Sequence, residues 1–174
     1  MKTAVFYGSS TGNTADVAKR IARTLGVPDT DVYDVAETAP SRLGDYDCLI
    51  LGSPTYGSGE LQDDWYDFID GAEMLDLKGK TVALFGTGDE GMTDTFCNAV
   101  GILRHRLERT GATFTGAFTT EPYDYGHSEA VDDGPDNPAR IACGLLLDEV
   151  NRPELTDDRI ARWAATLKEA DSAK

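Results

Sequence analysis

The chain has 174 residues, enough for one domain with a substantial core, and its 31 acidic against 16 basic side chains give a net charge of −15. Phosphate contacts along a nucleic acid need clustered Lys and Arg, so that class of partner is excluded, while a small ligand and basic protein surfaces fit the charge. Cys48, Cys97 and Cys143 show neither a CxxC pair nor zinc spacing, no signal segment opens the chain and no apolar run is long enough for a membrane span. Together these point to a cytoplasmic protein without a metal.

In chain order, Thr3–Tyr7 reads as a buried strand, followed by a helix from near Ala15 with Val17, Ile21, Ala22 and Leu25 at helical spacing. Gly26, Val27 and Pro28 stop it. Residues 32–35 form a second strand, residues 39–43 at most one helical turn, and residues 45–52 a third strand, apolar at its end as a strand covered on both faces should be. Residues 53–60 read as a loop, and Leu61, Trp65, Phe68 and Ile69 mark the next helix. A fourth strand at 81–86 leads through a loop at 87–94 to a helix facing inward with Phe96, Val100, Leu103 and Leu107. A fifth strand begins at 112–118.

There the rhythm breaks. Residues 119–140 carry Pro122, Gly126, Gly134, Pro135 and Pro138 among acids and read as an irregular excursion. Residues 141–147 are again strand-like, and Thr156 is placed to cap a last helix with Ile160, Trp163 and Leu167 on one face. Residues 1–170 therefore read as a single domain and residues 171–174 as a frayed tail. Alternating strands and helices argue for an α/β, doubly wound parallel sheet with helices on both faces. In such sheets a ligand sits beyond the carboxyl ends of the strands, where the strand order reverses.

Three loops fall at those ends. The first, residues 8–14, joins a strand directly to a helix, whose first N–H groups lack partners and carry the positive end of the helix dipole. Ser9, Ser10, Thr11, Asn13 and Thr14 supply neutral donors, and Gly8 and Gly12 let the backbone curl around an anion. No lysine or arginine appears between Thr3 and Ala18, so the Gly-Lys-Ser/Thr of a nucleotide triphosphatase is absent and the cradle suits a phosphate that stays bound. On its own, the stretch reads equally well as a capped helix start. The second loop sets Tyr56 where a ring can cover a flat ligand, with Gly57 after it so that the Tyr56–Gly57 peptide can reverse. The third contains Gly86-x-Gly88-x-x-Gly91, a weak match to the dinucleotide fingerprint, since it follows the fourth strand and Asp89 would repel a pyrophosphate.

Taken together, these loops resemble those of the flavodoxins. Ser9-Ser10-Thr11-Gly12-Asn13-Thr14 is similar to the family's phosphate loop for flavin mononucleotide (FMN), Gly52-Ser53-Pro54-Thr55-Tyr56-Gly57-Ser58-Gly59-Glu60-Leu61-Gln62-Asp63-Asp64-Trp65 to its second flavin loop, and Phe85-Gly86-Thr87-Gly88-Asp89-Glu90 to its third. The excursion resembles that of the long-chain subgroup. The resemblance implies a five-stranded sheet of order 2-1-3-4-5 with the fifth strand split by the long loop. It implies FMN as cofactor, held by Ser9, Ser10, Thr11, Gly12, Asn13, Thr14, Ser53, Pro54, Thr55, Tyr56, Gly57, Ser58, Gly59, Thr87, Gly88, Asp89, Met92 and Thr95.

The implied activity is that of a low-potential, one-electron carrier rather than an enzyme, a monomer docking on basic faces of partners such as a flavodoxin reductase. Two reduction steps are expected, the second well below the first, because Asp63, Asp89 and Asp94 disfavour further negative charge. Departures from the family are Tyr56 where tryptophan is usual, Met92 where a stacking tyrosine is usual, and Val150 where a polar residue is common. Met92 covers a ring less completely than an aromatic, which keeps an FMN-dependent quinone reductase as the alternative. A response-regulator receiver is excluded, since Phe6-Tyr7 and Gly52-Ser53 stand where its aspartates are needed. His105, between Arg104 and Arg106, reads as solvated, and His127 in the excursion shows no evident partner. With charge this one-sided, self-repulsion should be relieved by salt, so the melting temperature is expected to climb as KCl is added; a flat response would count against it.

Overall fold

Along the three central strands, successive side chains go to opposite faces, and both faces are apolar. Ala4, Phe6, Leu49, Leu51, Val82 and Leu84 enter one core, while Val5, Ile50, Ala83 and Phe85 enter the other. A strand with two apolar faces has to be covered twice, and this fixes the three-layer arrangement.

The computed structural model describes residues 1–173. In order, the elements are β1 (Thr3–Tyr7), α1 (Asn13–Leu25), β2 (Val32–Asp34), β3 (Cys48–Tyr56), β4 (Glu60–Leu61), α2 (Asp64–Ala72), β5 (Thr81–Thr87), α3 (Asn98–Leu107), β6 (Thr113–Thr115), β7 (Phe118–Thr119), β8 (Ile141–Ala142), β9 (Leu145–Leu147) and α4 (Thr156–Ser172). Helix α1 packs with α4 over the face bearing Val5 and Ile50, and α2 with α3 over the face bearing Phe6 and Leu51.

The main sheet runs β2-β1-β3-β5-β6, with all of these neighbours parallel. The fifth place is shared: β6 pairs with Thr81–Ala83 at the lower half of β5, and β9 pairs with Phe85–Thr87 at its upper half. This is the expected order with the expected split. Between the two halves the chain makes the excursion, whose ends form the antiparallel β7–β8 pair. Return to the sheet requires Gly144, where a Cβ would lie 2.3 Å from the Leu84 carbonyl oxygen.

Arg159 of α4 fastens the excursion to the sheet. Its side chain is 1 % exposed and donates to the carbonyls of Leu146 (3.2 Å), Glu121 (2.7 Å) and Thr119 (2.7 Å). The guanidinium also lies 4.7 Å from the Tyr123 ring centre and 5.2 Å from that of Phe118.

Several sequence expectations need correction. Helix α1 starts at Asn13 rather than near Ala15, because Gly12 (φ +94°) turns the chain just before it. The stretch 53–60 is not simply a loop: β3 continues to Tyr56 and folds back on β4. Thr156 does not cap α4. A 3-10 turn, Pro153–Leu155, precedes the helix, and the Thr156 Oγ1 is buried with no hydrogen-bond partner among the described residues. His127 does have a partner: its Nδ1 lies 2.9 Å from Asp133 Oδ2, and that contact holds the Asp133 carboxyl below its usual range. The last helix continues to Ser172, into the stretch expected to fray, and Lys174 lies outside the described residues.

Replacing Arg159 with alanine would leave the carbonyls of Leu146, Glu121 and Thr119 without their shared donor, the first of them in the buried interior. We expect Arg159→Ala to lower stability by about 3–4 kcal/mol in urea unfolding; a loss below about 1 kcal/mol would be the size of one ordinary hydrogen bond and would contradict the role.

Candidate functional site

The site follows from a step in the sheet. Strand β1 ends at Tyr7, opposite Gly52, whereas β3 runs on through Ser53 to Tyr56 and β5 accompanies it as far as Thr87, opposite Pro54. The Gly8 N–H closes the end of β1 on the Gly52 carbonyl (3.2 Å). Gly8 is required there, since a Cβ would fall 2.3 Å from Gln62 Oε1 and 2.7 Å from the Trp65 ring. The chain then turns into α1, so the N-terminus of that helix opens onto the ledge left by the longer β3 and β5.

Two adjoining clefts occupy the ledge. The larger, about 280 Å³, lies between Thr11 and Asn13 on one side, Pro54, Thr55 and Tyr56 on another, and Thr87, Gly88 and Asp89 on a third, with Glu149 and Val150 completing it. The smaller, about 150 Å³, continues past Tyr56 and Gly57 to Asp89, Met92 and Thr95. Thr55, Tyr56 and Asp89 belong to both. Among the described residues, no lysine or arginine lines either cleft. Arg20, deeper in α1, is engaged by Asp157 (2.6 Å), Asp16 (3.2 Å) and Glu149 (3.2 Å).

The first loop divides into presenting and bracing residues. Thr11, Gly12 and Asn13 are exposed at the helix start. The Ser9 Oγ accepts from the Gly12 N–H (3.1 Å), and the Ser10 Oγ accepts from Gln62 Nε2 (3.1 Å). Thr14 turns inward: it is 1 % exposed, and its Oγ1 lies 3.0 Å from Thr87 Oγ1, which joins the first loop to the end of β5.

In the second loop Ser53 is also turned inward, donating to the Pro54 carbonyl (2.8 Å) and accepting from the Gln62 N–H (3.3 Å). Thr55 Oγ1 accepts from the Ala99 N–H at the start of α3 (3.0 Å). The turn at the tip uses Gly57 (φ +55°) and Gly59 (φ +97°), with the Tyr56 carbonyl accepting from the Gly59 N–H at 3.1 Å. Reversal of the Tyr56–Gly57 peptide would break that bond. Ser58 is exposed at the tip.

In the third loop, Gly88 passes so near α3 that a Cβ would come 2.8 Å from the Cys97 N. Cys97 itself has φ +50° and a buried thiol that burial pushes up, so it is packing rather than chemistry. The Thr93 carbonyl accepts from the N–H groups of Gly126 and His127, both at 2.8 Å, so the excursion braces this loop from outside.

The structure thus places residues from all three predicted loops around one pair of clefts, with Thr14 and Ser53 as braces behind the wall. Sequence reasoning noted Val150 only as a departure from the family and Gln62 only as part of the second loop, and it missed Glu149 as a lining residue and Asn98, Asp148 and Asn151 as supports. The rule that ligands sit beyond strand ends, applied also to the upper half of the split fifth strand, points to Glu149 and Val150.

These features fit one ligand class: a flat ring in the cleft beside Tyr56 and an anionic tail at a helix N-terminus that offers neutral donors and no cation. A doubly wound α/β fold with such a cleft at its β1/β3 switch point defines a protein that holds a mononucleotide-type cofactor. Comparison with known proteins agrees. The chain matches the Flavodoxin family over residues 5–163. It is 41 % identical over 168 residues to flavodoxin 1 of Escherichia coli K12, covering 96 % of this chain and 93 % of that one. It is also 41 % identical to a Picosynechococcus flavodoxin, covering 97 % of each. The solved structure of Fusobacterium nucleatum flavodoxin bound to flavin mononucleotide superposes with a TM-score of 0.86 at 28 % identity, covering 98 % of this chain and 99 % of that one. The chain belongs to the flavodoxin family.

Gly59 offers a direct check on the second loop. A Cβ there would lie 2.3 Å from Asn98 Nδ2, and the backbone is already left-handed. Gly59→Ala is expected to loosen the β3–β4 turn, seen as faster hydrogen exchange at Glu60 and Leu61 and a stability loss of about 1–2 kcal/mol; unchanged exchange would show that the turn tolerates the side chain.

Proposed function

We propose that the two clefts hold a single FMN, with its phosphate at the start of α1 and its ring system against Tyr56 and the third loop. The observation that carries this is the continuity of the clefts, from Thr11 and Asn13 at the helix N-terminus through Tyr56 to Met92. As a flavodoxin the chain is an electron-transfer protein rather than an enzyme, and family membership favours this over the quinone reductase alternative. Bound FMN supplies the redox chemistry, accepting and giving up electrons singly.

The protein's own groups do the rest. Thr11 and Asn13 sit beside the α1 amides, which offer neutral donors to the phosphate. The loop residues Ser9, Ser10 and Gly12 shape that cradle and Thr14 ties it to Thr87, while Ser53 braces the second loop through the Pro54 carbonyl and the Gln62 N–H. Thr55, Tyr56, Gly57, Gly88 and Thr95 form the ring-side walls, with Ser58 and Gly59 forming the turn. Asp89 and Glu149 line the cleft as fixed acids, so each added electron meets repulsion that grows with charge.

Met92 and Val150 are exposed at the mouth, 54 % and 64 % respectively, and Glu60, Asp63 and Asp94 are exposed acids on the loops after β3 and β5. That surface suits a basic partner face such as that of a flavodoxin reductase, approached by electrostatic steering in a cytoplasmic, monomeric carrier. Among the described residues no helix is long and apolar enough to cross a membrane.

Stepwise potentiometric reduction of the FMN-loaded protein tests this. Two separated one-electron potentials, the second more negative, are expected; one combined two-electron step would contradict it. Restoring a stacking ring with Met92→Tyr is expected to tighten FMN binding about threefold to tenfold, the worth of one aromatic contact. Equal affinity would mean that residue 92 does not reach the ring.

A further inference from the structure

Asp148, at the end of β9, has no exposed surface, and the groups facing its oxygens are all donors. Its Oδ1 accepts from the N–H groups of Val150 (2.9 Å) and Asn151 (2.8 Å), which closes the turn after β9. Its Oδ2 accepts from the Glu90 N–H (3.0 Å) and from Asn151 Nδ2 (2.9 Å), the first of which crosses to the third loop. The same Asn151 nitrogen reaches Asp89 Oδ1 at 2.6 Å, so one side-chain amide bridges two carboxylates. Both are acceptors, which fixes the orientation of the amide.

The result is a seam in which three consecutive residues of the third loop are each tied to the chain after β9. Gly88 donates to the Leu147 carbonyl (2.9 Å), Asp89 accepts from Asn151, and Glu90 donates to Asp148. Arg152 closes the far end on the Glu90 carboxylate at 3.0 Å. On the cleft side, the same two segments present Gly88 and Asp89 facing Glu149 and Val150. The spacing of the seam therefore sets the position of this wall.

We propose that Asp148 is a positioning residue for the cofactor: with Asn151 it fixes the Gly88–Glu90 segment against Glu149 and Val150, and its carboxylate adds a fixed negative charge behind that wall. This rests on the reading of the clefts as the FMN site. An amide cannot replace the carboxylate. Its NH2 group would face either the Val150 and Asn151 N–H groups or the Glu90 N–H and Asn151 Nδ2, donor against donor. Removing the charge also removes a repulsion felt most by the second, charge-building electron.

Asp148→Asn and Asn151→Ala separate the two effects. In the FMN-free protein, both variants are expected to speed hydrogen exchange at the Glu90 amide, which reports the seam without the cofactor. Both are expected to weaken FMN binding by about tenfold. Only Asp148→Asn should move the second reduction potential to a less negative value, because Asn151→Ala keeps the charge. Should Asp148→Asn fail to fold, Asn151→Ala still decides, through Glu90 exchange and FMN affinity together. Wild-type exchange, affinity and potentials in the variants, with FMN bound normally by the wild type, would overturn the proposal. Failure of the wild type itself to bind FMN would instead overturn the reading on which it rests.

Discussion

The constraint on which the rest depends is the unequal length of adjacent parallel strands. Strand β1 stops at Tyr7 while β3 and β5 continue beyond it, and the chain leaves β1 directly into α1. Parallel strands demand crossovers, and a crossover beginning at once as a helix leaves N–H groups with no partner inside the helix. At this end of the sheet those donors face a ledge rather than another strand. Everything else in the site, from the β3–β4 turn to the seam after β9, builds walls around that ledge.

How much of this was legible in the sequence depends on whether the cause was local. The continuous apolar runs at Ala4, Val5 and Phe6 and at Leu49, Ile50 and Leu51 carry the two-sided burial of the strands directly, so a doubly covered sheet could be read, while its strand order was implied by the resemblance of the loops. The glycines at 8, 12, 57, 59 and 88 and the hydroxyls of the first loop marked the three site loops. What could not be read were contacts whose cause is distant in sequence. Thr14 looks like one more donor for an anion, but Thr87 lies where it can take that hydroxyl. Ser53 was expected at the ligand, yet the turn to Gln62 claims both its hydrogen-bonding roles. Thr156 has the composition of a cap, but Pro153 and Leu155 start the turn earlier and leave its hydroxyl inside. Leu147-Asp148-Glu149 resembles the subgroup's entry to the last helix, but nothing in the sequence gives Asp148 or Asn151 a part in the site, since that role exists only once β9 lies beside β5.

The charge distribution has a consistent logic. Buried or half-buried charges are matched: Arg159 by three carbonyls, Asp148 by four N–H groups, and Arg106 by Glu73 and Asp70 at 2.6 Å each. Those of Arg159 and Asp148 organise the excursion and the loop after β9, the two places where the sheet is interrupted. The remaining acids are on the surface, where they oppose extra charge on a bound cofactor and favour basic partners. The excursion is part of the same frame, because its backbone holds the third loop at Thr93.

In the proposed site the anion is held by backbone and hydroxyl donors without a cation, within a chain of net charge −15. Such a site attracts a phosphate locally while the rest of the molecule repels it, and the repulsion is the longer-ranged and more easily screened of the two. The direct measurement is the affinity of the FMN-free protein for FMN as KCl is raised from low to physiological ionic strength and beyond. Binding is expected to tighten with salt. Binding that weakens with salt, as at a site built on lysine or arginine, would contradict it.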